Sequence, residues 1–331
     1  MTTSSVISDA WGALKQEKFT QPGVYLRRVF ADASYSIFAA IERPSGLPKI
    51  YIDLNVPFKR QSVLELRGVS LKIEELENGK TRIRLELSQS SYAEIYAILV
   101  EDCVLKVLSA TSDSEAMERL TARILHWQKF MQLAGPAGLT AEQQQGLFGE
   151  LLILKAMLNT VGEVGEVLLS WKGPSAENQD FSRKGHAIEV KTSAANDGHS
   201  VLIANERQLD DAGLNSLVLC HLLVDIRSGI GTSLPDLVAE INVLIGADLR
   251  PSFEDQLILA GYHHEQRHLY VTSYVERARN FYRIGKVFPR IVPSALLPGV
   301  SETRYRINLS GCENDRVVEG AALTAFMTDS L

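Results

Sequence analysis

Six short runs rich in β-branched and aromatic residues, each bounded by turn signals, constrain the first third of this chain to β-structure. They cover residues 24–30, 35–42, 49–54, 62–66, 69–74 and 81–87. Such residues suit a pleated, half-buried surface better than a helix. Pro44-Ser45-Gly46 separates two of the runs, and Glu77-Asn78-Gly79-Lys80 separates another two. Asn-Gly accepts positive φ at both central turn positions, so the second signal predicts a hairpin. Residues 90–108 mix the helical and strand patterns.

From Ser112 the period changes. Ser112 and Glu115 have capping-box spacing. Met117, Leu120, Ile124, Trp127 and Met131 then recur at helical intervals, which aligns them on one face as a core stripe. Gly135-Pro136-Ala137-Gly138 ends that helix, and Thr140, boxed with Gln143, opens another whose apolar face is Leu147, Leu151, Leu154 and Leu158. Beyond it, an apolar run at 167–171 and strand-like segments at 186–192, 200–204 and 216–225 alternate with a short helical stretch at 206–212 and an amphipathic one at 234–245. The tail adds strand-like 269–274 and 305–309 around a basic, aromatic linker. The expected fold class is α/β (α+β overall). Its parts are a β-rich domain over 1–110, a core with a mixed sheet flanked by helices over 111–250, and a mixed α/β extension over 251–331.

Several function classes are disfavoured. With 331 residues, 45% of them hydrophobic, the chain buries enough surface to need no disulfide or metal staple. Cys103, Cys220 and Cys312 have no partners at zinc-ligand spacing and read as reduced thiols. No Gly-x-x-x-x-Gly-Lys or Gly-x-Gly-x-x-Gly occurs, so nucleotide cofactors are not indicated. Ser193 and Ser200 have no His-acid partners that the sequence can place. His263, His264 and His268 have one neighbouring acid, Glu265, and read as surface or core residues. The N-terminus has no signal-peptide pattern. The apolar windows 147–158 and 214–226 contain Glu150, Lys155, His221 and Asp225 and are too short to span a bilayer. The expected location is cytoplasmic, with no membrane association.

The net charge is −6, unevenly spread. Residues 261–306 hold eight Lys/Arg against three Asp/Glu, a local +5 that leaves −11 elsewhere. Tyr262, Tyr270, Tyr274, Tyr282 and Tyr305 are interleaved. This segment suits either a phosphate-binding surface or a solvated face with Tyr packed beneath. In the first case Arg277, Arg279, Arg283, Lys286 and Arg290 are the candidate DNA contacts.

The segment Ala187-Ile188-Glu189-Val190-Lys191-Thr192 carries the chemistry. On a strand, Glu189 and Lys191 share one face while Ile188 and Val190 enter the core. Glu189-Val190-Lys191 is the only acid-x-Lys in the chain. Asp180 precedes the turn signal Ser182-Arg183-Lys184-Gly185, and a bend there brings it beside Glu189. Adjacent carboxylates repel unless a cation sits between them. Mg²⁺, a hard ion with oxygen ligands, suits that place (Mn²⁺ as substitute). It could lower the pKa of a bound water, with Lys191 orienting that water or stabilising developing charge. Glu150 shares the buried stripe of the 140–158 helix. A carboxylate there must bind a metal, snorkel, or pair with Lys155 or an Arg. Gln208 can cap a helix through Asn205-x-x-Gln208 or serve the site.

Gly149-Glu150-Leu151, Trp171-Lys172-Gly173-Pro174, Gln179-Asp180-Phe181, Ile188-Glu189-Val190-Lys191-Thr192 and Gln208-Leu209 together resemble a bacterial PD-(D/E)XK family found beside restriction and phage-defence genes. Tyr282, Phe288-Pro289-Arg290 and Tyr305-Arg306-Ile307 extend the resemblance over most of the chain. It implies a restriction-endonuclease-like core with Asp180 and Glu189 as metal ligands, Lys191 as the catalytic lysine and Glu150 as a helix acid. Gln208 would contact metal-bound water or phosphate. Gln179 departs from the Pro-Asp pair. The expected activity is Mg²⁺-dependent DNA cleavage, with DNA, helicase/ATPase and methyltransferase subunits or a second copy of the chain as partners. The other reading is a nuclease-fold scaffold that cuts weakly or never.

Overall fold

Residues 3–57, 62–77, 79–160, 163–175, 177–194 and 199–328 are described by the structure, a computed structural model. Two units, Met1–Gly138 and Leu139–Leu331, each have their own interior.

In the first unit six antiparallel strands, β1 (Gly23–Val29), β2 (Ser36–Arg43), β3 (Pro48–Leu54), β4 (Ser62–Leu66), β5 (Val69–Glu75) and β6 (Thr81–Leu87), form one sheet. Their order is β1-β2-β3-β6-β5-β4. Alternation sends Ile37, Ala39 and Ile41 of β2, Ile50, Ile52 and Leu54 of β3, and Ile83 and Leu85 of β6 into the core. Ion pairs join strands elsewhere on the sheet, including Arg82 to Asp53 at 2.7 Å and Lys72 to Glu86 at 2.9 Å. The sheet packs with α1 (Thr3–Gln16), α2 (Ala93–Leu108) and α3 (Asp113–Leu133). The ambiguous 90–108 stretch is thus largely helical, burying Ile95, Tyr96, Leu99, Val100 and Cys103. Ser112 caps α3 by accepting the Glu115 N–H at 3.2 Å. The Glu115 carboxylate reaches back one residue further than a capping box requires, to Thr111 N–H at 2.7 Å. Asn78 of the anticipated hairpin lies outside the described residues.

The second unit is built on a mixed sheet ordered β11-β12-β10-β8-β7, from β7 (Phe181–Arg183), β8 (His186–Ala194), β10 (Ser216–Ser228), β11 (Thr232–Ser233) and β12 (Thr272–Arg283). β8 and β10 are parallel, and the other pairs on this path are antiparallel. β14 (Arg316–Val317) pairs with β12, while β9 (Ser200–Ile203) and β13 (Tyr305–Asn308) form a separate ribbon. Helices α4 (Ala141–Thr160), α5 (Val164–Ser170), α6 (Leu234–Leu259) and α7 (Glu319–Thr328) complete the unit. The fold is α+β, as the hydrophobic periodicities indicate. No helix among the described residues is long and apolar enough to cross a membrane.

The structure corrects or completes four sequence readings. The stretch 206–212 forms successive turns, not a helix. The amphipathic 234–245 segment continues to Leu259 across a break at Gly246, where φ is 74° and ψ is 179°. The run at 167–171 belongs mostly to α5. The basic linker is largely β12, a twelve-residue strand between β10 and β11. Its arginines find acids nearby, Asp225 for Arg277 and Glu276 for Arg279. Consequently residues 251–331 belong to the second unit and α3 to the first, a division different from 1–110, 111–250 and 251–331.

Candidate active site

The β7–β8 hairpin builds the centre of the site. Lys184 and Gly185 turn the chain with φ of 46° and 83°, positive values that Gly supplies without strain. Phe181 then lies opposite Ile188, so Asp180 emerges level with Glu189. Asp180 Oδ2 accepts the Val190 N–H at 2.7 Å. Lys191 leaves the same face as Glu189, and its ammonium stands 2.7 Å from Glu189 Oε1.

A second wall comes from α4. A Cβ on Gly149 would collide with the Thr192 side chain and lie 3.3 Å from Leu222 Cδ1. Only glycine therefore permits this approach of helix to sheet. Glu150 follows immediately. Lys155 pairs with Glu240 at 2.5 Å, and Glu150 instead accepts a hydrogen bond on Oε2 from Trp171 Nε1–H at 2.8 Å. Beyond Trp171, the N–H groups of Lys172 and Gly173 both donate to the Asp180 carbonyl, at 2.7 and 3.0 Å. This holds Gly173 against both acids. A Cβ there would overlap Glu150 Oε2 and come within 3.4 Å of Asp180 Oδ1.

The third wall is the 205–211 loop. Gln208 Oε1 accepts from Lys191 Nζ at 3.1 Å and from Ala204 N–H at 2.8 Å. Gln179 Nε2 donates to the Arg207 carbonyl at 3.0 Å, and Arg290 donates to the Leu209 carbonyl at 2.6 Å. The result is a pit whose floor is Glu189, 1% exposed, with Glu150, Asp180, Lys191 and Gln208 half-buried around it.

Electrostatics make the pit unfavourable for its own charges. Burial, then the neighbouring Asp180 charge, pushes Glu189 up to about 8. Burial and Asp180 likewise hold Glu150 well above the carboxylate range. Asp180 is raised by burial, against the opposing pull of Lys191 and the Val190 N–H. For Lys191 burial favours the neutral amine, but the charges of Glu189 and Asp180 outweigh it and its pKa is raised. Among the described residues the partner of the Glu189 carboxylate is the Lys191 ammonium, an ion pair at 2.7 Å, and no neutral donor satisfies either oxygen.

Among the described residues no three Asp, Glu, His or Cys side chains already converge as a metal cage. Glu150 is turned to Trp171 and Asp180 to Val190. The donor set nevertheless fits a hard divalent cation. It is all oxygen, it includes the unsatisfied, buried Glu189 carboxylate, and Gly173 leaves the space between Glu150 and Asp180 free of a side chain. A family model described as "Putative PD-(D/E)XK family member (DUF4420)" matches residues 7–310. The chain belongs to this family. No curated protein and no solved structure matches it.

Within this PD-(D/E)XK chain the structure brings together Glu150, Asp180, Glu189, Lys191 and Gln208. It distributes the five basic candidates differently. Arg277 pairs with Asp225, Arg279 with Glu276 and Glu319, and Arg290 with Asp211, whereas Arg283 and Lys286 are exposed. The five interleaved tyrosines pack beneath rather than outside: Tyr262, Tyr270, Tyr274 and Tyr282 are buried and Tyr305 is half-buried. His263 accepts the Glu265 N–H on Nδ1 at 3.2 Å, as a local cap. Sequence reasoning named Trp171, Gly173 and Gln179 only as motif letters. Trp171 lies 21 residues from Glu150, and no local spacing assigns that donor.

Proposed function

We propose that the chain is a Mg²⁺-dependent DNA endonuclease that hydrolyses phosphodiester bonds in the cytoplasm, within a restriction-modification or phage-defence system. The observation that carries this is the pit itself: Asp180 level with Glu189 and Glu150 facing them, all three raised by burial, and Glu150 and Glu189 further by the Asp180 charge, beside the ammonium of Lys191 at 2.7 Å. Asp180 and Glu189 would hold the cation, with Glu150 beside them. When bound, Mg²⁺ supplies a Lewis acid for the phosphodiester and acidifies a bound water.

The protein's own residues do the rest. The charges of Glu189 and Asp180, where ionised, raise the pKa of Lys191, and its ammonium stabilises charge developing on the phosphate oxygens. Gln208 fixes the direction of that ammonium through the hydrogen bond at 3.1 Å. Trp171 fixes Glu150, and Gly173 leaves the space between Glu150 and Asp180 open for the cation. An acidic chain gains DNA affinity from partners, and we assign that part to helicase/ATPase or methyltransferase subunits and to a second copy of the chain for cutting both strands.

Plasmid cleavage with Mg²⁺ or Mn²⁺ tests the proposal. Wild type should cut, while Glu189→Ala and Lys191→Ala should each lose about 100-fold or more. Equal residual cutting by all three proteins would assign the activity to a contaminant and overturn the reading.

A further inference from the structure

The basic stretch of residues 261–306 does not act as one surface, because Arg277, Arg279 and Arg290 are held by acids. Arg304 and Arg306 are exposed and form no ion pair among the described residues. Arg306 lies in the β9–β13 ribbon, and Arg304 immediately precedes β13. The ribbon's inner face, Val201, Ile203 and Ile307 with Tyr305 against them, enters a buried cluster. Its outer face carries Arg306 directly opposite Leu202, which is 44% exposed. Tyr305 pairs with Ile203 at the end of the ribbon, so Arg304 leaves β13 where Ala204 leaves β9, and it is exposed like Arg306.

That position matters for the pit. The Ala204 N–H donates to Gln208 Oε1, the atom that also takes Lys191 Nζ. The segment is anchored there by Thr303 N–H, which donates to Glu206 at 2.9 Å. Along a strand, residues two apart are separated by about 7 Å. Two guanidinium forks can therefore take different phosphates of one nucleic-acid strand.

We propose that Arg306 on the outer face of the β9–β13 ribbon, with the adjoining Arg304, grips backbone phosphates of the DNA strand that enters the pit of Asp180, Glu189 and Lys191. The inference rests on the nuclease reading and names the surface that holds its substrate. Complementarity of charge carries it: a chain of net charge −6 repels DNA except where unpaired cations face solvent.

The test is equilibrium binding of a labelled short duplex DNA without divalent cation, followed by anisotropy over a range of salt. The proteins are wild type, Arg304→Ala/Arg306→Ala, and Arg119→Ala as a control whose charge Glu115 already offsets at 2.6 Å. The double variant should bind about tenfold or more weakly, and its log–log salt slope should fall by about 2. The control should match wild type, and all three should keep the same rise in melting temperature with Mg²⁺. Unchanged affinity and slope in the double variant would overturn the proposal, as would an equal loss in the control, tighter binding of duplex RNA, or no binding of DNA by the wild type. The binding comparison is metal-free, so failure of the nuclease reading is seen separately, as cutting that survives Glu189→Ala.

Discussion

Gly173 faces two carboxylates, and hydrogen is the largest substituent that leaves the space between them open. A methyl there would collide with Glu150 Oε2 and crowd Asp180 Oδ1 at 3.4 Å. Gly173→Ala should therefore abolish the Mg²⁺-induced rise in melting temperature, which reflects binding to the folded state by mass action. Cleavage should fall about 100-fold or more, the scale seen when an electrostatic contribution to the transition state is removed. Melting without metal should stay within a few degrees of wild type, about 1 kcal/mol or less, because the residue is half-buried. A full metal shift in Gly173→Ala would sink the assignment of that space to a cation. His221 on β10 concerns stability instead. It is fully buried, with Nε2 3.1 Å from Ser193 Oγ and Nδ1 unpartnered. Burial, helped by His199, lowers its pKa from 6.5 to about 4. The depressed value fixes the sign. Above pH 6.5 the group adds no pH dependence. As pH falls from 6.5 towards 4, the unfolded chain takes up a proton that the folded one refuses, and stability is lost. The loss is at most about 3 kcal/mol. Urea unfolding at a series of pH values should show a shallower decline for His221→Leu across that window. Parallel curves would mean that the imidazole is not held neutral by the fold.

At the scale of elements, the centre of the site was legible because its geometry is local. Strand alternation puts Glu189 and Lys191 on one face, and the Lys184-Gly185 turn sets the register that returns Asp180 to Glu189. The Thr140–Gln143 box was equally local, and both of its arms form, at 3.3 and 2.9 Å. The 205–211 loop was misread because its competitors are distant in sequence. Asn205-x-x-Gln208 has cap spacing, but Gln179 takes the Arg207 carbonyl and Arg290 the Leu209 carbonyl, acceptors that a continuing helix needs. Gln208 is then free to turn its side-chain carbonyl to Lys191, while Asn205 Oδ1 accepts the Arg207 N–H in a turn. Gln179 gains significance from the same contact. A proline before Asp180 could not make this tie between the hairpin and the loop. β12 was hidden differently: Glu276, Arg277 and Arg279 break the apolar pattern, and only the acids brought to them by folding make those charges tolerable in a strand.

At the scale of the whole molecule, composition and periodicity gave the α+β class but not the division of the chain, since a domain is closed by its core. The cluster beneath the site joins Ala187, Leu217 and Leu219 to Tyr282, Ile284, Phe288, Ile307 and Leu309. Residues on both sides of position 250 are thus one interior. β12 also supplies the strand that β10 pairs with on the side away from β8. A fragment of residues 111–250 therefore lacks a central strand and half of a core, and exposes apolar surface worth several kcal/mol, about 2 for each large side chain lost. That is comparable to the whole stability of a domain. Residues 139–331 keep every pit residue and the cluster together. The expected outcome is that 139–331, produced alone, unfolds in one cooperative transition and retains the Mg²⁺-induced rise in melting temperature, whereas 111–250 shows neither. Calorimetry with and without Mg²⁺ on the two fragments decides it. A cooperative, metal-stabilised 111–250 would mean that the C-terminal segment is an appendage to the nuclease core. Its absence from 139–331 would mean that the pit depends on residues before Leu139.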